Sequence, residues 1–391
     1  MISTLAQTAL ERDGLGPIRD KVLAAERLTD EEGLTLLEAR DLPALGALAN
    51  HVREARHGHL AFYNRNVHLN PTNVCVATCK FCSFARKDDQ QASEGYTMSL
   101  DEAVEKVVSK RALGITEVHI VAGLHPTLPW EYYTGLLRRI RQAWPELAIK
   151  AFTAIEYHYW AEKFGKSYSQ VLSELRDAGL TTIPGGGAEI FAPRVRHKIC
   201  DDKATADQWI EIHRTAHRLG IKSNATMLYG HIERLDERVD HMRRLRELQD
   251  QTHGFQVFIP LAFHPEHNMI GKAYPKPTGF DALRTAAVAR LYLDNFDHMK
   301  AYWVSMGERL AQVALGFGVD DLDGTVLEER IYHMAGSTVP QALSERTLHD
   351  LIRAAGRVPA ERDSLYNVLK VHEQPLPPAT APSPRLTVVS A

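Results

Sequence analysis

Short apolar runs and amphipathic segments alternate along most of the chain. Runs rich in β-branched and apolar residues begin near positions 67, 117, 148, 181, 222 and 255, and segments with apolar residues at helical spacing follow them. Strands and helices in alternation, with short connections, indicate a parallel sheet. We therefore predict an α/β fold: a full or partial TIM-type βα barrel with an N-terminal helical extension and C-terminal helices.

Less regular parts of the pattern give further expectations. Residues 148–156 and 181–189 are predicted as strands, the second interrupted by the glycines at 185–187. The remaining predictions are a candidate seventh strand at 300–306, a turn at the barrel mouth at 320–325, and helices at 344–355 and 362–369.

The pattern divides the chain into four parts. We expect a helical N-terminal extension at 1–66, the barrel at 67–310, a C-terminal extension packed on the barrel at 311–372 and a tail at 373–391. Because proline, alanine, serine and threonine dominate the tail, we expect it to be disordered.

Composition argues against two classes of partner. With 46 Lys and Arg against 49 Asp and Glu, the net charge of −3 does not favour nucleic-acid binding. No apolar run reaches the length of about 18 residues that a membrane span needs. The N-terminus lacks a basic segment followed by an apolar core, so we expect a cytoplasmic protein, in a compartment where thiols stay reduced.

Three of the four cysteines, Cys75, Cys79 and Cys82, stand within eight residues in the spacing Cys-x3-Cys-x2-Cys. Cysteine thiolates are the usual ligands of iron–sulfur clusters. Three cysteines on a four-iron cluster leave one iron open for a substrate or cofactor, as catalytic metal sites do. The alternatives are a structural zinc site, which needs four ligands, a disulfide framework, for which four cysteines are too sparse, and three ordinary buried thiols.

The motif, with Phe81 directly before its last cysteine, resembles the signature of radical S-adenosylmethionine (SAM) enzymes. The resemblance implies that Cys75, Cys79 and Cys82 hold one [4Fe-4S] cluster whose open iron is chelated by SAM. It implies that the reduced cluster cleaves SAM to methionine and a 5′-deoxyadenosyl radical, and that Phe81 lies against the adenine. The motif should follow the first strand of a βα barrel, which is where the pattern puts it.

Other segments narrow this resemblance. The menaquinone/deazaflavin branch of the radical SAM family looks similar to this chain at residues 68–75, 117–126, 184–190 and 320–325. Its aminofutalosine synthase family is the most similar at residues 68–73 and 149–154. That family adds the 5′-deoxyadenosyl radical to 3-[(1-carboxyvinyl)oxy]benzoate, with rearrangement and decarboxylation, and so forms 6-amino-6-deoxyfutalosine for menaquinone biosynthesis.

Two alternatives stay open at this point. A sibling of the same branch, either the cyclic dehypoxanthine futalosine synthase or the FO synthase subunit, would use the same cluster on another substrate. A non-enzymatic iron–sulfur electron carrier would need a fourth protein ligand, for which Cys200 is the remaining cysteine.

Loops that follow the strands carry the chemistry of βα barrels. The candidates for binding SAM, besides Phe81, are two glycines that would let a ligand approach the backbone and two carboxylates that could accept hydrogen bonds from a ribose: Gly123, Gly186, Glu156 and Glu189. The alternative interpretations without a function are a strand end for Gly123, a bulge for Gly186 and surface carboxylates for Glu156 and Glu189.

The resemblance implies a small substrate with two carboxylates. Candidate hydrogen-bond donors and cations for it are His68, Asn70, His125, Thr153, Ser223 and Arg86. A flavodoxin- or ferredoxin-type protein is the implied reductant, and the oligomeric state stays open.

Overall fold

The computed structural model of the chain describes residues 2–87 and 94–373. It begins with the helices α1 (Thr4–Arg12), α2 (Gly16–Leu23), α3 (Asp30–Leu37) and α4 (Leu42–His57). The prediction of helix up to residue 66 is wrong, because two strands follow α4, β1 (Leu60–Asn64) and β2 (Asn66–Leu69). Every residue of β1 except the first is buried, as a strand covered on both faces requires.

Parallel strands form the barrel within the described ranges. Strands β1 and β2 belong to it and are consecutive along the chain. The other members are β3 (Glu117–Ile120), β4 (Ala148–Ala151), residues 182–183, β5 (Ser223–Tyr229), β6 (Phe255–Ala262), β7 (His298–Met299) and β8 (Asp321–Gly324).

Single parallel bridges join the separate sheets of the barrel. They connect Lys150 with Thr182, Ile183 with Ser223, Lys300 with Asp321, and Val67 with Leu327. With the ladders β2-β3-β4, β5-β6-β7 and β1-β8, these bridges close a ring of parallel neighbours. The predicted full or partial TIM-type βα barrel is therefore confirmed.

Helices alternate with the barrel strands: α5 (Leu100–Val108), α6 (Trp130–Ala143), α7 (Ala154–Phe164), α8 (Tyr168–Asp177), α9 (Pro193–Ile199), α10 (Ala206–Arg218), α11 (Leu235–Thr252) and α12 (Gly279–Tyr292). Ser99 and Glu102 form a capping box at the start of α5. No helix in the described part of the chain is long and apolar enough to cross a membrane.

Three predictions for the barrel region are wrong in part. Strand β4 ends at Ala151, because Phe152 has a φ of 61° and turns the chain into helix α7. The run at 181–189 contributes only two bridged residues, since the glycines that follow carry no side chains to pack in a sheet. Residues 321–324 form strand β8 and pair with β1, where a turn was predicted.

The C-terminal part contains α13 (Trp303–Met306), α14 (Glu308–Ala314), α15 (Ile331–Met334), α16 (Glu345–Ala354), β9 (Val358–Arg362) and β10 (Val368–Val371). The helix predicted at 344–355 is confirmed as α16. The candidate seventh strand is confined to β7 and a bridge at Lys300, and α13 follows.

The helix predicted at 362–369 is wrong, because this region forms β9 and β10. Strand β9 pairs parallel with β1, and β10 pairs antiparallel with β9. The charges of β9 resemble the exposed face of a helix, but Glu361 and Arg362 are buried and paired with Arg65 and Asp321. Apart from Glu373, the predicted disordered tail lies outside the described residues.

Candidate functional site

The loop that carries Cys75, Cys79 and Cys82 follows strand β2 and is held by other parts of the chain. Its N–H groups donate to distant carbonyl oxygens: Cys75 to Arg86 at 2.7 Å, Val76 to Leu124 at 3.0 Å and Lys80 to Ile199 at 2.9 Å. The segment after β3 and the end of α9 thereby fix the path of the loop.

Two side-chain contacts add to this support. Thr78 donates its N–H and its hydroxyl to one carboxylate oxygen of Asp202, at 2.6 and 2.8 Å. The Lys87 ammonium donates to the carbonyl oxygens of Val76 and Ala77, at 3.1 and 2.6 Å. Side chains from outside the motif thus support the backbone that carries the three cysteines.

A cavity of about 330 Å³ opens beside the loop, within the size range of small-molecule sites. Cys75, Cys79 and Cys82 all line it as free thiols. Cys200 is not among the lining residues; it is 2% exposed, and its N–H is bonded to Arg196 at the end of α9. Three thiols facing one cavity fit a cluster with an open iron better than a closed, four-ligand carrier.

Burial raises the pKa of the Cys75 and Cys79 thiols. The charge of Lys203 acts on both in the opposite direction but does not overcome burial. Metal ligands must be thiolates, so iron binding would displace protons from this loop. With raised pKa values, the Cys75 and Cys79 thiols are poor free nucleophiles at neutral pH.

Lys203 is a cavity residue that the sequence did not single out. Its ammonium lies 2.6 Å from a carboxylate oxygen of Glu189 and 5.4 Å from the centre of the Phe81 ring. All three residues line the cavity, and Phe81 and Glu189 are two of the residues predicted to bind SAM. The position of Lys203 could not be inferred from its surroundings in the sequence, Asp201 to Ala204, which look like a polar turn.

Glu156 lines the cavity but already accepts two backbone hydrogen bonds. Its oxygens take the N–H groups of Ala122 at 2.8 Å and Thr153 at 2.6 Å. Burial raises its pKa to about 7, although both hydrogen bonds favour the charged form. This carboxyl thus connects the segment after β3 to the start of α7 by hydrogen bonds.

The candidate glycines lie where chain segments pack closely. A Cβ at Gly123 would lie 2.2 Å from the carbonyl oxygen of Val74, on the cysteine loop itself. A Cβ at Gly186 would lie 3.0 Å from the Thr153 side chain, and Gly186 lines the cavity. Gly123 therefore allows the segment after β3 to contact the cysteine loop, in addition to lining the cavity.

One layer of the barrel interior consists of polar side chains on three neighbouring strands. His68, His119 and Lys150 are register partners across β2, β3 and β4, and all line the cavity. The two imidazoles stack with ring centres 4.6 Å apart, and His68 Nε2 has no hydrogen-bond partner. Burial lowers the pKa of both histidines, so they are neutral at pH 7.

Two cavity-lining lysines were also missed at the sequence level. Lys150 Nζ lies 2.6 Å from Glu117, and Lys300 Nζ lies 2.7 Å from Asp323. Both lysines stand in otherwise apolar strand segments, and that contrast is the signal that could have identified them. With Lys203, three ammonium groups therefore line the cavity, each with a carboxylate partner.

The structure brings three of the predicted substrate donors to the cavity, namely His68, Asn70 and Thr153. The Asn70 amide nitrogen donates to the carbonyl oxygen of Val121 at 2.9 Å, and its amide oxygen has no partner. Residues of these types can hold a carboxylate, so all three stay candidates.

The other three predicted donors lie elsewhere, and we remove them from the set. His125 accepts the N–H groups of Thr127 and Leu128 outside the cavity. Ser223 begins β5 and is bonded to His213 and His217. Arg86 contacts Glu94 and three carbonyl oxygens of its own loop: those of Ser83, Phe84 and Ala85.

Comparison with known proteins agrees with this arrangement. The radical SAM superfamily pattern matches residues 69–245, and that of the CofH/MqnC C-terminal region matches residues 252–375. The chain is 49% identical over 361 residues to the aminodeoxyfutalosine synthase of Thermus thermophilus, covering 92% of this chain and 96% of that protein. It is 46% identical over 378 residues to the aminodeoxyfutalosine synthase of Streptomyces coelicolor, covering 94% and 97%.

The fold is also similar to the FeFe-hydrogenase maturase HydG from Carboxydothermus hydrogenoformans. The TM-score is 0.72 at 17% identity, over 93% of this chain and 85% of that one. A βα barrel with three cysteines on the loop after its first strand defines a radical SAM enzyme, and this chain belongs to the radical SAM superfamily. Within it, two relatives that match nearly the whole chain are aminodeoxyfutalosine synthases.

Members of this superfamily use a [4Fe-4S] cluster and SAM, and Cys75, Cys79 and Cys82 lie inside the matched range. The predicted family, fold class and cofactors are therefore confirmed. The donor set also fits on structural grounds, because three free thiols on one supported loop face a single cavity.

Proposed function

We propose that this chain is an aminodeoxyfutalosine synthase. In the reaction, C5′ of the 5′-deoxyadenosyl group forms a bond to the enol-ether double bond of 3-[(1-carboxyvinyl)oxy]benzoate. The adduct radical rearranges through the aromatic ring and loses one carboxylate as CO2 and one electron, giving 6-amino-6-deoxyfutalosine. That electron would return to the oxidised cluster. Similarity over more than nine-tenths of the chain to two synthases of that name carries the proposal.

Cys75, Cys79 and Cys82 are the proposed ligands of the cluster. When bound and reduced, the cluster supplies the electron that cleaves SAM to methionine and the 5′-deoxyadenosyl radical. The protein contributes the supported loop, which aims three thiols at the cavity and leaves no fourth cysteine there. This arrangement favours the enzyme over an electron carrier, which has no use for a cavity beside its cluster.

Four cavity residues are proposed to hold SAM. The Phe81 ring offers an apolar surface to the adenine. Glu189 has one oxygen engaged by Lys203 and can accept a ribose hydroxyl with the other. Gly186 carries no side chain on the cavity wall, and Glu156 holds the backbone at Ala122 and Thr153 in place.

The two carboxylates of the substrate need donors or cations inside a largely apolar cavity. His68, Asn70 and Thr153 are the proposed hydrogen-bonding groups, and Lys150 and Lys300 supply positive charge. Each ammonium is held by a carboxylate partner, so its position is fixed before the substrate arrives. A radical reaction depends on such preorganisation, because the position of the substrate decides which of its atoms reacts with the radical.

A reductant and a location complete the proposal. An electron carrier of the flavodoxin or ferredoxin type would deliver the electron to the cluster. A reducing, cytoplasmic compartment would keep the free thiols of the cysteine loop available for iron.

The direct test is turnover by anaerobically reconstituted and reduced protein. With SAM and 3-[(1-carboxyvinyl)oxy]benzoate, we expect mass spectrometry to show 6-amino-6-deoxyfutalosine. Formation of 5′-deoxyadenosine without a nucleoside adduct would show that the substrate assignment is wrong while leaving the radical chemistry intact.

The same assay separates the sibling enzymes. The substrate of the cyclic dehypoxanthine futalosine synthase, and tyrosine with the ribityl-uracil co-substrate of the FO synthase subunit, are supplied in parallel. Turnover of either in preference to the enol-ether benzoate would reassign the chain within its branch.

A further inference from the structure

A second group of metal-binding side chains lies in the C-terminal extension, among residues other than those of the cavity. Glu345 and His349 are four positions apart on α16 and so share one face of the helix, and His372 follows strand β10. One possible ligand atom from each lies within 4.8 Å of the other two. The Nε2 atoms of His349 and His372 are each 3.7 Å from the same oxygen of Glu345.

These spacings are close to those of a metal site. Ligand atoms about 2.0–2.1 Å from a tetrahedral ion lie roughly 3.3–3.4 Å from one another. The observed separations of 3.7 Å exceed this by a few tenths of an ångström, which a small rotation of the three side chains would remove.

Tyr63 adds a fourth possible ligand atom, its hydroxyl oxygen, to the group. Its hydroxyl is 2.8 Å from Glu345, 2.7 Å from His349 and 3.1 Å from His372. The phenol can donate to Glu345 and accept from both imidazoles, so the four side chains also satisfy one another without a metal. The four side chains therefore converge on one place, and a bound ion would move the Tyr63 oxygen away from the other three atoms, to a spacing of roughly 3.3–3.4 Å.

The group is accessible to a metal ion. The side chains of His349 and His372 are 10% and 15% exposed, whereas that of Glu345 is 38% exposed and opens the group to solvent.

We propose that Glu345, His349 and His372 bind a divalent first-row transition-metal ion, with the Tyr63 oxygen as the fourth donor. Two imidazoles, a carboxylate and a phenol suit Zn²⁺, Fe²⁺ or Co²⁺ rather than Mg²⁺ or Ca²⁺. The ion would connect β1, α16 and the residue after β10. Because all four residues of β10 are exposed, this strand has little apolar burial of its own, and a metal there would fix it to the barrel.

A rival group within the described residues is less suitable. His57, His298 and Asp320 also lie within reach of one ion. Asp320 is fully buried and already paired with the Arg290 guanidinium, whose charge would oppose a cation at that position.

The test measures Zn²⁺ binding to the cluster-reconstituted protein, whose cysteines are occupied by iron. Equilibrium dialysis with elemental analysis should give one Zn²⁺ per wild-type chain beyond the iron. His349→Ala and His372→Ala should each weaken this binding at least about 100-fold, because even outer-sphere changes cost 10–100-fold. His59→Ala, which removes an exposed histidine, is the matched control and should bind as wild type.

X-ray absorption at the zinc edge supplies an independent readout. Nitrogen and oxygen neighbours at about 2.0–2.1 Å support the proposal, whereas sulfur at about 2.3 Å would assign the zinc to the cysteine loop and overturn it. Equal binding by wild type and both folded variants would overturn it too. If His349→Ala fails to fold, His372→Ala decides, because His372 lies beyond the last described strand.

Discussion

Lys203, in the turn after α9, and Glu189, on the wall of the cavity, form an ion pair with 2.6 Å between Nζ and Oε1. Their side chains are only 8% and 10% exposed. Glu189 adopts a φ of 46°, a conformation that a residue other than glycine rarely takes unless its surroundings fix it. Since Lys203 also lies over the Phe81 ring, the pair connects the cavity wall to the loop that presents the cluster ligands.

Lys203→Met should lower the free energy of unfolding by about 3 kcal/mol, because it leaves the Glu189 carboxylate buried and unpaired. The double variant Lys203→Met/Glu189→Gln should regain most of that loss, since no charge remains. Urea unfolding measures both. Lys166→Met, which breaks a more exposed pair with Glu174, should cost less than about 1 kcal/mol. A single variant as stable as wild type would show that the Lys203 pair does not support the loop.

The Glu156 carboxyl should make stability depend on pH. Its pKa is about 7 in the folded chain against 4.5 for an ordinary glutamate. Its contribution is fully present below pH 4.5, where both states are protonated, and is lost as pH rises to 7, by about 3 kcal/mol. Glu156→Gln should flatten the unfolding free energy over this interval, whereas Glu162→Gln, on the same helix but exposed, should not. An unchanged pH profile for Glu156→Gln contradicts the assignment.

Gly123→Ala should impair cluster assembly. The added Cβ would lie 2.2 Å from the Val74 carbonyl oxygen, so the segment after β3 or the cysteine loop must move. We expect reconstituted iron to fall well below four per chain, measured by iron analysis and visible absorbance. Gly135→Ala is the control, because its Cβ meets only Leu100 at 3.4 Å within helix α6, where alanine is the better helix former. Full iron content in Gly123→Ala would mean that the loop tolerates the shift.

Variants of the four cysteines should distinguish the three cluster ligands from Cys200, which does not bind the cluster. Cys79→Ala should lose the broad visible absorbance of the cluster and all SAM cleavage, because it removes one of three thiolates. Cys200→Ala should retain both, since Cys200 is absent from the cavity lining. Loss of the cluster in Cys200→Ala would revive the four-ligand electron carrier.

Much of the barrel could be predicted from the sequence because its cues are local. Apolar runs predict β5 and β6, and the segments at helical spacing that follow them form α11 and α12. The wrong predictions occur where a residue contacts another that is distant in the sequence. Arg362 resembles a helix surface until Asp321 of β8, 41 residues away, is seen to pair with it.

The candidate site, too, could be predicted only where its signal is local in the sequence. The three cysteines are a local motif, and their loop is where the pattern put it. The cavity wall is not local: His68, His119 and Lys150 meet because β2, β3 and β4 pair in one register, which no spacing in the sequence reveals. Ser223 was misplaced because it begins β5, whereas catalytic loops follow the ends of barrel strands.

His68→Leu should uncouple SAM cleavage from product formation. Its unpartnered Nε2 is proposed to donate to a substrate carboxylate, and a hydrogen bond to a charged group contributes about 1.5–3 kcal/mol. We therefore expect kcat/KM for the enol-ether benzoate to fall about 10–100-fold, while 5′-deoxyadenosine still forms from SAM. His125→Asn, which keeps an acceptor for Thr127 and Leu128 outside the cavity, should leave both activities near wild type. Equal losses of cleavage and product in His68→Leu would instead assign His68 to the SAM side of the cavity.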